Sequence, residues 1–127
     1  MDISAISKHY NSEKSSAHYC DAVDSIGLWK SEEMIFEKHV GKNDKILDMG
    51  CGAGRTTFGL HKLGYTNIVG LDITSSLIDY ATNYSKTHNF DIDFVLCDAR
   101  MKRGRQNSEV KTNRDKRPIR FLFVSAF

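Results

Sequence analysis

The sequence predicts an α/β fold built on a mostly parallel sheet, and three observations carry that prediction. Short apolar runs recur at residues 46–47, 68–71 and 92–97, each closed by an aspartate. Between them lie segments whose apolar residues repeat at helical spacing. Three glycines, Gly50, Gly52 and Gly54, stand at alternate positions directly after the first run. Short apolar runs of this kind suit strands covered on both faces. Strand–helix–strand at this spacing requires right-handed crossovers, and so parallel neighbours.

Residues 1–14 are polar and without period, and read as a lead-in. Residues 15–26 are expected to form a short helix with Tyr19, Val23 and Ile26 on one face, ended by Gly27. Leu28-Trp29 is an apolar pair expected to pack. Ser31 is the predicted N-cap of the next helix, with Glu32 and Glu33 in its first turn, where the helix dipole favours acids. Ile35, Phe36, His39 and Val40 then share a face, and Gly41 supplies the stop. After the glycines, a helix opening at Thr56 covers the sheet with Phe58, Leu60 and Leu63 and ends at Gly64. Thr74 or Ser75 caps the helix after the second strand, in which Leu77, Ile78, Ala81 and Tyr84 share a face.

At 127 residues there is room for one domain and one core. The 40% hydrophobic and 10% aromatic content is ordinary for a globular chain. No run approaches the roughly 18 apolar residues of a transmembrane helix. The N-terminus lacks a basic stretch followed by an apolar core, so no signal peptide is expected. Cys20, Cys51 and Cys97 are odd in number and at no metal-ligand spacing, which fits reduced thiols packed in a cytoplasmic protein. The five histidines, His9, His18, His39, His61 and His88, show no ligand spacing either, and no metal site is expected. The net charge of +2 hides an asymmetry: residues 1–99 hold nine Lys/Arg against fourteen Asp/Glu, and residues 100–127 hold nine against two. The chain is an acidic body with a basic tail.

The glycines bear on the ligand. A dinucleotide loop, G-x-G-x-x-G, would place its third glycine at position 55, which is Arg55; here the glycine comes one residue early, at Gly54. Asp48 stands two residues before Gly50, and a carboxylate there suits an ammonium-bearing ligand better than a pyrophosphate. A turn without any ligand is the plainer alternative, and the alternation of glycines right behind strand and acid speaks against it. Parallel sheets bind ligands beyond the carboxyl ends of their strands. The three strands are expected to set Asp48, Asp72 and Asp98 in register at that edge.

The pattern apolar-apolar-Asp-x-Gly-x-Gly-x-Gly resembles the first motif of the class I S-adenosylmethionine-dependent methyltransferases. The resemblance covers roughly residues 30–99 and implies a Rossmann-like, mostly parallel sheet, S-adenosylmethionine as cofactor, and methyl transfer to a small-molecule acceptor. On that resemblance Asp48, Gly50, Cys51, Gly52 and Gly54 hold the methionine end. Asp72 matches the acid that binds both ribose hydroxyls, and a carboxylate can accept two such bonds. Ile73 matches the apolar position against the adenine face, Asp98 the acid that accepts from the adenine amino group, and Ala99 a contact to the ring. Residues 27–33 also look like the lead-in of small bacterial methyltransferases, where an N-terminal helix lids the cofactor, although Trp29 suits the core better. Tyr10 and Tyr19 either close over the cofactor or pack. Arg55 either pairs with Asp72 or points to solvent. No catalytic residue is identified, since methyl transfer from a sulfonium needs little beyond alignment.

The resemblance stops at Arg100. Residues 101–118 are basic and polar, with almost no apolar residue beyond Met101 and Val110. They are expected to be a solvated loop rather than a nucleic-acid surface, since no aromatic is interleaved. Residues 121–127 regain the look of a buried strand, about where a fourth strand belongs. The expected organisation is a cofactor-binding half with a helical lead-in, residues 1–99, and a basic tail with a final strand, residues 100–127. The class I methyltransferase sheet is thus expected to be truncated after about its fourth strand. A frameshift or cut near residue 100 explains the abrupt change better than a purpose-built small variant. Uncharged and holding three Phe, residues 121–127 are expected to self-associate as a sheet edge, or else everything after Ala99 to be disordered. The leading function is a methyltransferase. The alternative is a catalytically inactive S-adenosylmethionine-binding fragment or module, and a nucleic-acid-binding protein is a weaker third.

Overall fold

A computed structural model describes residues 4, 5, 8, 13–98 and 121–124. Helices α1 (Glu13–Ser25) and α2 (Lys30–His39) form the lead-in. Then β1 (Ile46–Met49), α3 (Arg55–Lys62), β2 (Ile68–Asp72), α4 (Ser75–Thr87) and β3 (Asp93–Leu96) alternate, and β4 (Phe121–Val124) follows. The strands form one sheet in the order β3-β2-β1-β4 with every neighbouring pair parallel. The fold is α/β with a Rossmann-like sheet, as the sequence predicts. No helix among the described residues is long and apolar enough to cross a membrane. The expectations for Tyr10, for Ala99 and the tail to residue 120, and for residues 125–127 lie outside the described residues.

Register decides which side chains meet the helices. Ile46 pairs with Ile68 and Asp48 with Gly70, while Gly70 pairs in turn with Phe94. Side chains alternate along a strand, so these residues share one face. There Ile46 and Ile68 join Phe58 and Leu60 of α3 and Leu77 and Ala81 of α4 in one buried cluster. Phe94 lies over Gly70, where a Cβ would stand 2.7 Å from its Cδ1. Its ring also packs on Phe58, with centroids 5.3 Å apart. A side chain at position 70 would displace that ring, so the sheet and the base of the glycine loop are packed as one unit.

The lead-in is built into this core. Val23 of α1 is buried, and the Tyr84 hydroxyl of α4 donates to Asp24 Oδ1 at 2.6 Å. Helix α2 buries Phe36, edge-on to Tyr65, and Val40 follows just beyond the helix. Three expectations are corrected here. Helix α2 starts at Lys30, with Ser31 inside its first turn, because the Glu32 carboxylate accepts the Trp29 N–H at 2.9 Å and so caps the helix two residues earlier. Ile35 and His39 do not share the buried face; α2 meets the core only along the i, i+4 line of Phe36 and Val40, and Ile35 is 53% exposed. Trp29 is not in the core: it is 47% exposed, with the Arg55 guanidinium 5.4 Å from its ring centre.

Two glycines separate conformational strain from crowding. Gly54 has φ +96°, and a Cβ there would stand 2.6 Å from Phe58 Cε2. Gly27 has φ +63° with open space around it. Gly27→Ala is expected to cost only the left-handed backbone penalty, about 1–2 kcal/mol. Gly54→Ala adds an overpacking cost of about 1–3 kcal/mol. Urea unfolding of both variants checks the ordering, and equal midpoints would refute the tight packing at Gly54.

Candidate functional site

The loop from β1 to α3 is held by its own amides. The N–H groups of Gly50 and Cys51 both donate to the Leu71 carbonyl, at 2.8 and 2.9 Å. Gly52 N–H donates to Asp72 Oδ2 at 2.8 Å, and Gly54 N–H to the Cys51 carbonyl at 3.0 Å. A pyrophosphate site needs loop amides turned outward to the anion. These four are turned inward, so the loop lacks that cradle. Residues 51–54 are moreover buried, beneath the lead-in.

The three acids are not in register. Asp48 is the third residue of β1 and pairs with Gly70; Asp72 lies two residues further out and pairs with Leu96; Asp98 lies two residues beyond that. Cross-strand pairing of the apolar runs sets these offsets, and steps of two keep a common face. The result is a staircase running from inside to outside. Asp48 is fully buried, whereas Asp72 and Asp98 are half-buried. Ile73 is half-buried beside them, and Ala99 lies outside the described residues.

Each acid meets a different environment. Asp48 Oδ2 accepts from Thr57 Oγ1 at 2.6 Å, and Oδ1 has no hydrogen-bond partner among the described residues. Burial pushes its pKa up to about 7, against the opposing pull of the Thr57 hydroxyl and the Arg55 charge. Asp72 accepts two backbone bonds, from Gly52 and, at 2.8 Å, from Thr74 N–H. Thr74 is the N-cap of α4 and forms no side-chain cap bond; its own N–H is the one that Asp72 Oδ1 accepts. Cys51, buried beneath both carboxylates, has its thiol pushed well above the usual range, first by burial and then by Asp48 and Asp72. It is an inert thiol.

Arg55 takes neither course foreseen from the sequence. Its Nη1 donates to the Gly27 carbonyl at 2.7 Å and to Glu32 Oε2 at 2.9 Å, and its Nη2 to Glu32 Oε1 at 2.9 Å. Burial opposes ionisation of Glu32, but the hydrogen bonds from Arg55 and from Trp29 N–H outweigh it and hold the carboxyl below its ordinary value. The clasp joins the α1–α2 corner to the head of α3. Sequence reasoning missed both Thr57 and Glu32 as partners. A hydroxyl in the first turn of α3 was the available sign of the former; nothing local marks the latter, since the pair is 23 residues apart. Among the described residues no cluster of His, Cys, Asp and Glu is arranged to hold a metal ion.

Asp48 makes stability depend on pH. Its native pKa lies above the unfolded value, so the folded state keeps a proton that the unfolded chain releases. The native state is therefore expected to lose stability as pH rises from about 4 to about 7, by up to about 4 kcal/mol, and then to level off. Asp48→Asn is expected to abolish that slope. Urea unfolding of both proteins at a series of pH values checks it, and parallel profiles would refute the assignment.

Known proteins resemble this chain in sequence and in fold. A family profile described as a methyltransferase domain matches residues 40–110, ten residues beyond the point where the resemblance was expected to stop. Phosphoethanolamine N-methyltransferase 1 of Arabidopsis thaliana is 27% identical over 86 residues, which is 68% of this chain and 18% of that protein. Ubiquinone biosynthesis O-methyltransferase of Pelagibacter ubique is 31% identical over 72 residues, 57% of this chain and 30% of that protein. The crystal structure of a methyltransferase dependent on S-adenosylmethionine from Aquifex aeolicus superposes with a TM-score of 0.54 at 17% identity, over 65% of this chain and 47% of that one, a likeness of fold. The chain spans less than half the length of the curated relatives it matches. With the glycine loop, the parallel sheet and more than half of the residues matched, the chain belongs to the class I S-adenosylmethionine-dependent methyltransferase domain family.

Proposed function

We propose that the chain binds S-adenosylmethionine along the carboxyl edge of β1, β2 and β3 and directs its methyl group to a small-molecule acceptor. The observation that carries this reading is the Asp72 carboxylate. Its two backbone bonds fix it at the junction of the loop and β2, and an ionised carboxylate has about four acceptor sites. Capacity for a ribose diol therefore remains on a half-buried group. The donor set fits the cofactor on two further counts. The half-buried carboxylate at position 72 suits a ligand with cationic groups, and the inward amides disfavour a phosphate-bearing one.

On this reading Asp72 holds the ribose, Ile73 lies against the adenine, and Asp98 and Ala99 meet its edge. The loop of Gly50, Cys51, Gly52 and Gly54, with Asp48 behind it, orients the methionine end. The bound cofactor supplies a methyl group on a positively charged sulfur, an electrophile for which alignment is the main requirement. The chain's own residues bind and orient; no general base is assigned. One relative is named for N-methylation and another for O-methylation. The second reading is a cofactor-binding module without turnover.

Titration calorimetry with S-adenosylhomocysteine and with NAD tests the binding. The adenosyl ligand is expected to bind and NAD not to. Asp72→Ala removes two charge-assisted bonds to the ribose, each about 1.5–3 kcal/mol, together with the acceptor of the Gly52 and Thr74 amides. The affinity is expected to fall accordingly, with circular dichroism confirming that the variant is folded. Tight NAD binding without the adenosyl ligand, or unchanged affinity in a folded Asp72→Ala variant, would overturn the reading. Binding without methyl transfer to any acceptor would favour the module.

A further inference from the structure

The amino-acid end of S-adenosylmethionine carries an ammonium and a carboxylate. On the cofactor reading above, from which this inference follows, that end meets Gly50, Cys51, Gly52 and Gly54, with Asp48 behind them. These are one acid and four uncharged residues, and none of them balances the carboxylate. A carboxylate drawn out of water beside an acid calls for a cation.

Arg55 stands where that cation is called for. It follows Gly54 directly and is the first residue of α3, at the end where the helix dipole favours an anion. A cavity of about 90 Å³ lies between the lead-in and the glycine loop. Arg55 lines it together with Cys51 and Ala53 of the loop and Tyr19 and Trp29 of the lead-in. A liquid water takes up about 30 Å³, so the space suits the end of a ligand rather than the whole of one.

The guanidinium is already oriented from three sides. Its Nη1 donates to the Gly27 carbonyl and to Glu32 Oε2, and its Nη2 to Glu32 Oε1. The Trp29 ring centre lies 5.4 Å from the guanidinium carbon. Only 11% of the Arg55 side chain is exposed, so little freedom is left for ligand binding to remove. Glu32 takes the end of the fork, between Nη1 and Nη2. The side of the fork, formed by Nε–H and the second N–H of Nη2, is a separate pair of parallel donors that matches a second carboxylate.

We propose that Arg55 is a cofactor-binding residue, the Nε and Nη2 side of its guanidinium holding the carboxylate of the amino-acid end. Glu32 is then a positioning residue: it occupies the other fork and, with Gly27 and Trp29, sets the direction in which the side donors point. The lead-in takes part in cofactor recognition through this one guanidinium.

Titration calorimetry on the whole chain tests it, with S-adenosylhomocysteine and with its decarboxylated analogue, which keeps the adenosine, the sulfur and the ammonium. The wild-type chain is expected to bind the first about tenfold or more tightly than the second. Arg55→Gln is expected to bring the two affinities within about twofold. Arg55→Lys, which keeps the charge and loses the fork, is expected to leave an intermediate preference. Equal affinities in the wild-type chain overturn the proposal. So does a wild-type preference that persists in Arg55→Gln. A merely structural Arg55 gives that result by weakening both ligands alike, and so does a carboxylate held by His18, which also lines the cavity. If Arg55→Gln fails to fold, Arg55→Lys decides, and an undiminished preference there overturns the proposal. A wild-type chain that binds neither ligand removes the cofactor reading itself, whereas one that binds both alike removes only the role of Arg55.

Discussion

The carboxyl edge depends on one carboxylate joining two corners of the chain. Asp72 takes the N–H of Gly52 on one oxygen and the N–H of Thr74 on the other. Gly52 is buried, and a buried N–H left without a partner costs about as much as a lost hydrogen bond. The glycine loop thus keeps its course because the end of β2 carries an acid. The turn into α4 is held by the same group, since Asp72 Oδ1 accepts the N–H of its N-cap residue Thr74. A neutral apolar residue at position 72 would leave both amides unsatisfied, whatever ligand the site takes.

A second consequence runs inward. Asp72 and Glu32 both disfavour ionisation of Asp48, while Arg55 favours it. Arg55 is itself clasped by Glu32, which shares its charge between the buried acid and the lead-in. Three acids and one guanidinium are therefore linked across β1, β2, α3 and the first turn of α2. Burial is the largest influence on Asp48, and it leaves that carboxyl balanced near neutral pH although its sequence neighbours resemble those of Asp72. Asp48 is fully buried and Asp72 half-buried, so like residues in similar sequence contexts differ first in depth.

That difference marks the limit of what the residues disclose locally. The strands, the crossovers and the glycine loop were legible because each is written in adjacent residues: an apolar run, a helical repeat, glycines at alternate positions. The stagger of Asp48, Asp72 and Asp98 was not legible, because it follows from pairing Ile46 with Ile68 and Val69 with Asp93, contacts between distant segments. The clasp of Arg55 on Glu32 and the exposure of Ile35 escaped for the same reason. Both depend on how α2 lies against the sheet, and periodicity gives a helix a face without saying how much of it is covered.

The position of the third glycine bears on more than the shape of the turn. With glycine at 54, that residue takes the left-handed N-cap position and α3 begins at Arg55. A cation in the first turn of a helix is unfavourable toward the dipole and needs an acid to hold it. Here the acid comes from the lead-in, and the same guanidinium that Glu32 binds also takes the Gly27 carbonyl. Where a dinucleotide loop has its third glycine for close packing of helix on strand, this loop has an arginine drawn away toward the N-terminal helices, with its amides bonded inward to Leu71, Asp72 and Cys51. A shift of one residue in the glycine spacing thus accompanies both the loss of an anion cradle and the anchoring of the segment that covers the loop.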